Sequence, residues 1–195
     1  HTDTSTAVTN LTFSSFAVNA TLDKTIPTSA GLTQTSCSSG SCAAWGGVDG
    51  TTYLQVPYRL TLSLGAGSAN TSIDELVDTP PSGAFLKPGT VTLTDVNNAS
   101  PVAISDATYL SSESALSPRP IHFTGPFVAS TSRTIVVNYT MYVPKVAGTY
   151  VNSAYAMVGD TRIGATASAM PQVTVTTDGT TTVGVVDNVN ATLPV

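Results

Sequence analysis

Between residues 133 and 158 apolar and polar side chains alternate with a period of two. Ile135, Val137, Tyr139, Met141 and Val143 share one parity, and Arg133 opens the run at an exposed strand end. Such alternation marks a strand with one buried face. The same pattern recurs at residues 53–64, where Tyr58, Leu60, Leu62 and Leu64 alternate with Arg59, Thr61 and Ser63. Pro57 there argues for a sheet edge or a strand start. Residues 7–22 form a further strand candidate. Leu11 and Phe13 lie on one parity and Phe16, Val18 and Ala20 on the other, so a bulge or a break is expected at Ser14-Ser15.

Strands are also expected at 73–77, 91–96, 102–110, 121–128, 149–158, 172–177 and 180–195. Gly159-Asp160 reads as a hairpin turn into 161–167. Residues 24–50 and 111–120 read as loops. The one helical candidate, near 72–77, is short and abuts Pro80-Pro81. Roughly ten short strands at regular spacing indicate an all-β sandwich.

Composition narrows the setting. The 195 residues allow one large β-domain or two small ones. Only 10% are charged, against roughly 25% in ordinary soluble domains. Hydroxyls and amides must therefore solvate most of the surface. A net charge of −5 without a basic cluster argues against nucleic-acid binding. No apolar run is long enough for a membrane span. The start at His1, without Met, fits a mature N-terminus after signal removal or an artefact of expression.

Two segments resemble the Ig-like conserved surface-repeat family of bacterial and archaeal cell-wall proteins. The first is VPYRLTLSLGAGSANTSIDELVDTPPSG, residues 56–83, which ends in a variant of that family's Asp-x-Pro-x-Gly with a residue inserted or substituted. The second is TIVVNYTMYVPKVAGTYVNSAYA, residues 134–156, with Asn152-Ser153-Ala154 at its close. The likeness covers about residues 53–164. It implies an extracellular, Ig-like or jelly-roll-type β-sandwich with stalk, adhesive or filament roles, and it carries no catalytic residues. Intramolecular Lys–Asn isopeptide bonds occur in related surface domains and need a buried lysine beside a carboxylic acid. Of Lys24, Lys87 and Lys145, Lys24 is the best candidate, although a solvated lysine is the plainer reading.

Candidate chemistry is otherwise sparse. Cys37 and Cys42 flank a Ser/Gly loop and are read as a disulfide, with free thiols or a metal site as alternatives. Asn10, Asn19, Asn70, Asn98, Asn138 and Asn190 open glycosylation triplets, so covalent glycans are candidate partners. Asp74, Glu75 and Asp78 offer Ca²⁺ ligands, against the favoured reading of a solvated turn. His1 and His122 could form a copper brace of the kind used on polysaccharides, but two histidines are a thin signal. Trp45 caps the core or presents a ligand platform.

The expectation is a non-enzymatic, secreted structural subunit without cofactor. Residues 23–195 would form a single sandwich with a pinned loop at 37–42. Residues 1–22 would form an extended N-terminal strand, donated to a neighbouring copy through Val8, Leu11, Phe13, Phe16 and Val18. Such contacts are head-to-tail and build an extracellular homopolymeric filament, pilus or sheath. A monomeric adhesin or carbohydrate-binding stalk, and the copper enzyme, are the alternatives.

Overall fold

The computed structural model describes residues 20–28, 31–65, 71–95, 98–103, 120–129, 133–163, 170–176, 181–186 and 191–193. Among these the protein is all-β and sandwich-type, apart from one 3₁₀ turn at Ala43–Trp45. The largest sheet runs in the order β15-β1-β3-β9-β6-β7. It is made of β1 (Ala20–Thr25), β3 (Thr52–Leu64), β6 (Thr92–Asp95), β7 (Asn98–Ala103), β9 (Arg133–Pro144) and β15 (Ala191–Leu193). Two short strands flank it, β2 (Gln34–Ser36) on β3 and β5 (Phe85–Leu86) on β9. A second sheet, β12-β11-β4-β8, holds β4 (Thr71–Thr79), β8 (Ile121–Ala129), β11 (Ser153–Val158) and β12 (Thr161–Ile163). A third, β10-β13-β14, holds β10 (Gly148–Val151), β13 (Met170–Val175) and β14 (Thr181–Val186). All described pairings are antiparallel.

The spine is the β3–β9 pair. Tyr58 lies opposite Tyr139, Leu60 opposite Val137 and Leu62 opposite Ile135, and all six are buried. They form one apolar face, as the alternation required. It packs on Ile73, Leu76, Phe123, Phe127, Ala154 and Ala156 of the second sheet, and Val173 of the third joins the same core.

Several expectations are met. The Gly159-Asp160 hairpin joins β11 to β12, with Gly159 at φ +56°. Other expectations are revised. Pro57 sits inside a central strand, because β2 pairs with β3 only up to Leu54 and β1 only from Arg59. A proline without an N–H is tolerated in that gap. The strand expected over 149–158 is two strands in different sheets, divided at Asn152. Residues 20–22, assigned to the leading segment, belong to β1 and pair with Leu62–Leu64 of the same chain. Residues 1–19, with Val8, Leu11, Phe13, Phe16 and Val18, lie outside the described residues.

Candidate functional site

Three elements bring polar groups into the apolar layer. In β1 the inward positions are Ala20, Leu22 and then Lys24, so strand parity alone carries the lysine into the core. Lys24 was expected to open a loop and to be solvated. Instead it is fully buried.

Asp78 faces it from β4. The β4–β8 ladder shifts register between Ile73 and Glu75, opposite Gly125. A side chain at Gly125 would fall within 2.7 Å of the Ile73 carbonyl oxygen, so the irregularity needs glycine. Across this shift the core-facing positions pass from Ile73 to Leu76 and Asp78. The solvated-turn reading of Asp78 is therefore wrong.

Asn152 is the third group. It stands where the chain leaves β10 for β11, two residues before Ala154, which pairs with Asp78. It too is fully buried.

These groups meet around Tyr139. Lys24 Nζ forms a salt bridge with Asp78 Oδ2 and donates a hydrogen bond to the Tyr139 hydroxyl at 2.8 Å. That hydroxyl donates to Asp78 Oδ2 at 2.5 Å. The Asn152 amide also interacts with the Tyr139 hydroxyl, and its Nδ2 lies 3.2 Å from Met141 Sδ. Tyr58 and Tyr139 stack with centroids 5.8 Å apart. Lys24 Nζ lies 5.2 and 5.5 Å from their ring centres, within cation–π range. Asp78 Oδ1, Asn152 Oδ1 and the Tyr58 hydroxyl are buried without a hydrogen-bond partner.

The electrostatics follow from the dryness. Burial lowers the Lys24 pKa from 10.5 to about 8, against the opposing pull of Asp78. Burial, reinforced by the Asp78 charge, raises both Tyr58 and Tyr139 above their ordinary value. The Asn152 hydrogen bond offsets part of the rise at Tyr139. A lysine that sheds its proton near neutrality is a nucleophile, and the neighbouring carboxylate can take that proton. A buried carboxamide beside them is an acyl group that such an amine can attack. Sequence reading singled out Lys24 but missed Asn152 and Tyr139, which look like ordinary strand residues.

The other candidates disperse. Cys37 and Cys42 do form a disulfide. It closes a loop in which Gly40 N donates to both Asp49 carboxylate oxygens. Trp45 stacks on Tyr142 at 4.0 Å and meets Tyr53 edge-on at 5.0 Å, so it caps a small aromatic cluster beneath that loop. The three acidic residues have separate partners. Asp74 accepts from Gly159 N at 2.6 Å, Glu75 pairs with His122 at 2.8 Å, and Asp78 holds Lys24. Among the described residues no group of three His, Cys, Asp or Glu is placed to hold a metal. Among them, too, no helix is long and apolar enough to cross a membrane.

Asn138 lies in β9, where its Oδ1 accepts from Arg59 Nε at 3.0 Å. Asn98 is placed only as a backbone position in β7. His1, Asn10, Asn19, Asn70 and Asn190 lie outside the described residues. No family model, curated protein or solved structure matches the chain.

Proposed function

We propose that the chain is an extracellular structural subunit of the Ig-like surface-repeat kind, whose facing sheets are joined by a self-formed amide between Lys24 and Asn152. The observation that carries this reading is the contact of lysine, aspartate and asparagine with one tyrosine, in a layer closed to water. Lys24 first passes a proton to Asp78. The neutral Nζ then attacks Asn152 Cγ, and the protonated Asp78 hydrogen-bonds the developing oxyanion. The tetrahedral intermediate collapses with loss of ammonia, leaving an amide. Asp78, paired directly with Nζ, is assigned the proton, and Asn152 the acyl group.

A single-turnover cross-link of this type suits a load-bearing element better than a catalyst. Assembly into a homopolymeric filament, pilus or sheath is the larger role we propose. It rests on the apolar alternation of residues 7–19, their place in the sequence directly before β1, and the low charge of the chain.

Intact-mass measurement of the purified chain tests the chemistry. The expected result is a deficit of about 17 Da, one ammonia, beyond that of the disulfide, with a branched peptide joining Lys24 to Asn152. A loss of about 18 Da with Lys24 joined to Asp78 would overturn the assigned acceptor. A full-mass, unbranched chain would overturn the reading altogether.

A further inference from the structure

We infer that the Tyr139 hydroxyl is the proton carrier of this cross-linking reaction, taking the second proton from Lys24 Nζ and delivering it to the departing Asn152 nitrogen. The inference rests on the amide reading above and adds a catalytic residue to it.

Proton accounting creates the need. An ammonium that becomes an amide N–H gives up two protons. The carboxamide nitrogen must gain one to leave as ammonia. Asp78 takes the first proton directly, since it pairs with Nζ. Once protonated and held against the oxyanion, it is no longer a base for the second. The group placed to accept that proton is the Tyr139 hydroxyl, which already receives a hydrogen bond from Nζ at 2.8 Å.

The same hydroxyl lies beside the Asn152 amide, whose Nδ2 is 3.2 Å from Sδ of Met141, the next core-facing residue on the parity of Tyr139 in β9. In the resting arrangement it donates to Asp78 Oδ2. Protonation of Asp78 releases that donor, which can then turn to the leaving nitrogen. The oxygen gains one proton as it gives up another, so no phenolate forms. A phenolate would be costly here, because burial and the Asp78 charge both disfavour it.

The neighbouring ring supplies an internal control. Tyr58 stacks on Tyr139 and lies a similar distance from Nζ, but its hydroxyl touches no hydrogen-bonding partner. The two tyrosines thus share packing and cation–π contact and differ in proton connectivity.

The test uses full-length chain collected unfolded from inclusion bodies and then refolded, with amide formation timed by mass. Tyr139→Phe is expected to slow the reaction about a hundredfold, the lower range for loss of a general acid–base. Tyr58→Phe is expected to stay within about twofold of the parent. Equal rates for Tyr139→Phe and the parent overturn the inference while leaving the amide reading intact. A parent chain that never loses ammonia overturns the amide reading itself. If Tyr139→Phe does not fold, a difluorotyrosine at position 139 keeps the ring and the hydroxyl but makes the phenol more acidic. A proton carrier predicts a changed rate and a shifted pH profile, and an unchanged profile overturns the inference.

Discussion

Replacing Asn152 with alanine removes the proposed acceptor and leaves Lys24, Asp78 and Tyr139 in place. The magnitude follows from where the joined residues lie. Lys24 is in β1 and Asn152 precedes β11, so the amide closes a loop of about 130 residues, and the chain-entropy relation for such a closure gives about 5 kcal/mol. For a chain of this size each kcal/mol moves the midpoint by roughly 2–4 °C, so Asn152→Ala should melt about 10–20 °C lower. Two local effects oppose each other. Alanine leaves a small void, costing about 1–2 kcal/mol, and removes a buried, unpartnered Oδ1, gaining a similar amount. Urea unfolding supplies a second signature, because a stapled chain exposes less surface when it unfolds. The slope of stability against urea should therefore be steeper in the variant than in the parent. Calorimetry and urea titration of mass-verified samples are the assays. Equal midpoints and equal slopes would refute the staple.

Four further outcomes are expected. Amide formation on refolding should be nearly independent of pH between about 6 and 8 and slow above about pH 8, because Lys24 hands its proton to Asp78 within the buried pair and, once that proton is lost to solvent at a lysine pKa lowered to about 8, none remains for the oxyanion; a tenfold rise per pH unit between pH 6 and 8 would contradict the internal transfer. In the unstapled Asn152→Ala chain the unfolded state binds more protons than the folded one between about pH 8 and 10.5, so stability should rise with pH there. It should turn over above about pH 10, where the tyrosines ionise only when unfolded, and urea midpoints against pH would follow both limbs. Trp45→Ala should cost about 3 kcal/mol by urea denaturation, since the ring is packed on Tyr142 and Tyr53; an unchanged midpoint with lost glycan binding would instead favour an adhesive platform. Deleting residues 1–19 should abolish polymers seen by electron microscopy while sparing the melting transition, because β1 begins at Ala20; persistence of polymers would refute strand donation by that segment.

How much of this was legible depended on whether a local rule continued across each residue. The β3 and β9 strands were legible because period-two alternation holds along each with only minor breaks, and the apolar parity of each strand is the buried one. Lys24 obeys the same rule, since it follows Ala20 and Leu22 on one parity. What obscured it was the usual preference of lysine for water, which tertiary pairing with Asp78 overrides. Asp78 was hidden by the register shift after Ile73, because uninterrupted alternation from Ile73 points position 78 outward. Asn152 was hidden because the chain changes sheets there, and a continuous run of strand-forming residues gives no sign of such a crossing. The Cys37–Cys42 bond was legible because five residues of separation with Ser and Gly between leave little else for the pair to do.

The hidden residues share a physical origin. The backbone path carries each polar member into the apolar layer, Lys24 by strand parity, Asp78 by the register shift and Asn152 by the change of sheet, and none would be stable there alone. An isolated buried ammonium or carboxylate costs several kcal/mol, and even as an ion pair the two seldom outweigh well-packed hydrophobic residues. A cluster with three unpartnered buried polar atoms is therefore a poor way to hold two sheets together noncovalently. The amide changes that balance. It eliminates the lysine charge, expels one polar group as ammonia, and leaves a neutral linkage where an ion pair stood. The same dryness that makes the cluster unfavourable before reaction lowers the lysine pKa and prepares it to react. The cost carried by the folded but unlinked chain is thus the driving condition for the bond, and the strand that bears Lys24 is the one continuous with the leading segment. Tension entering through that segment would meet the staple at the fifth residue of β1 and pass to Asn152, instead of peeling β1 from β3.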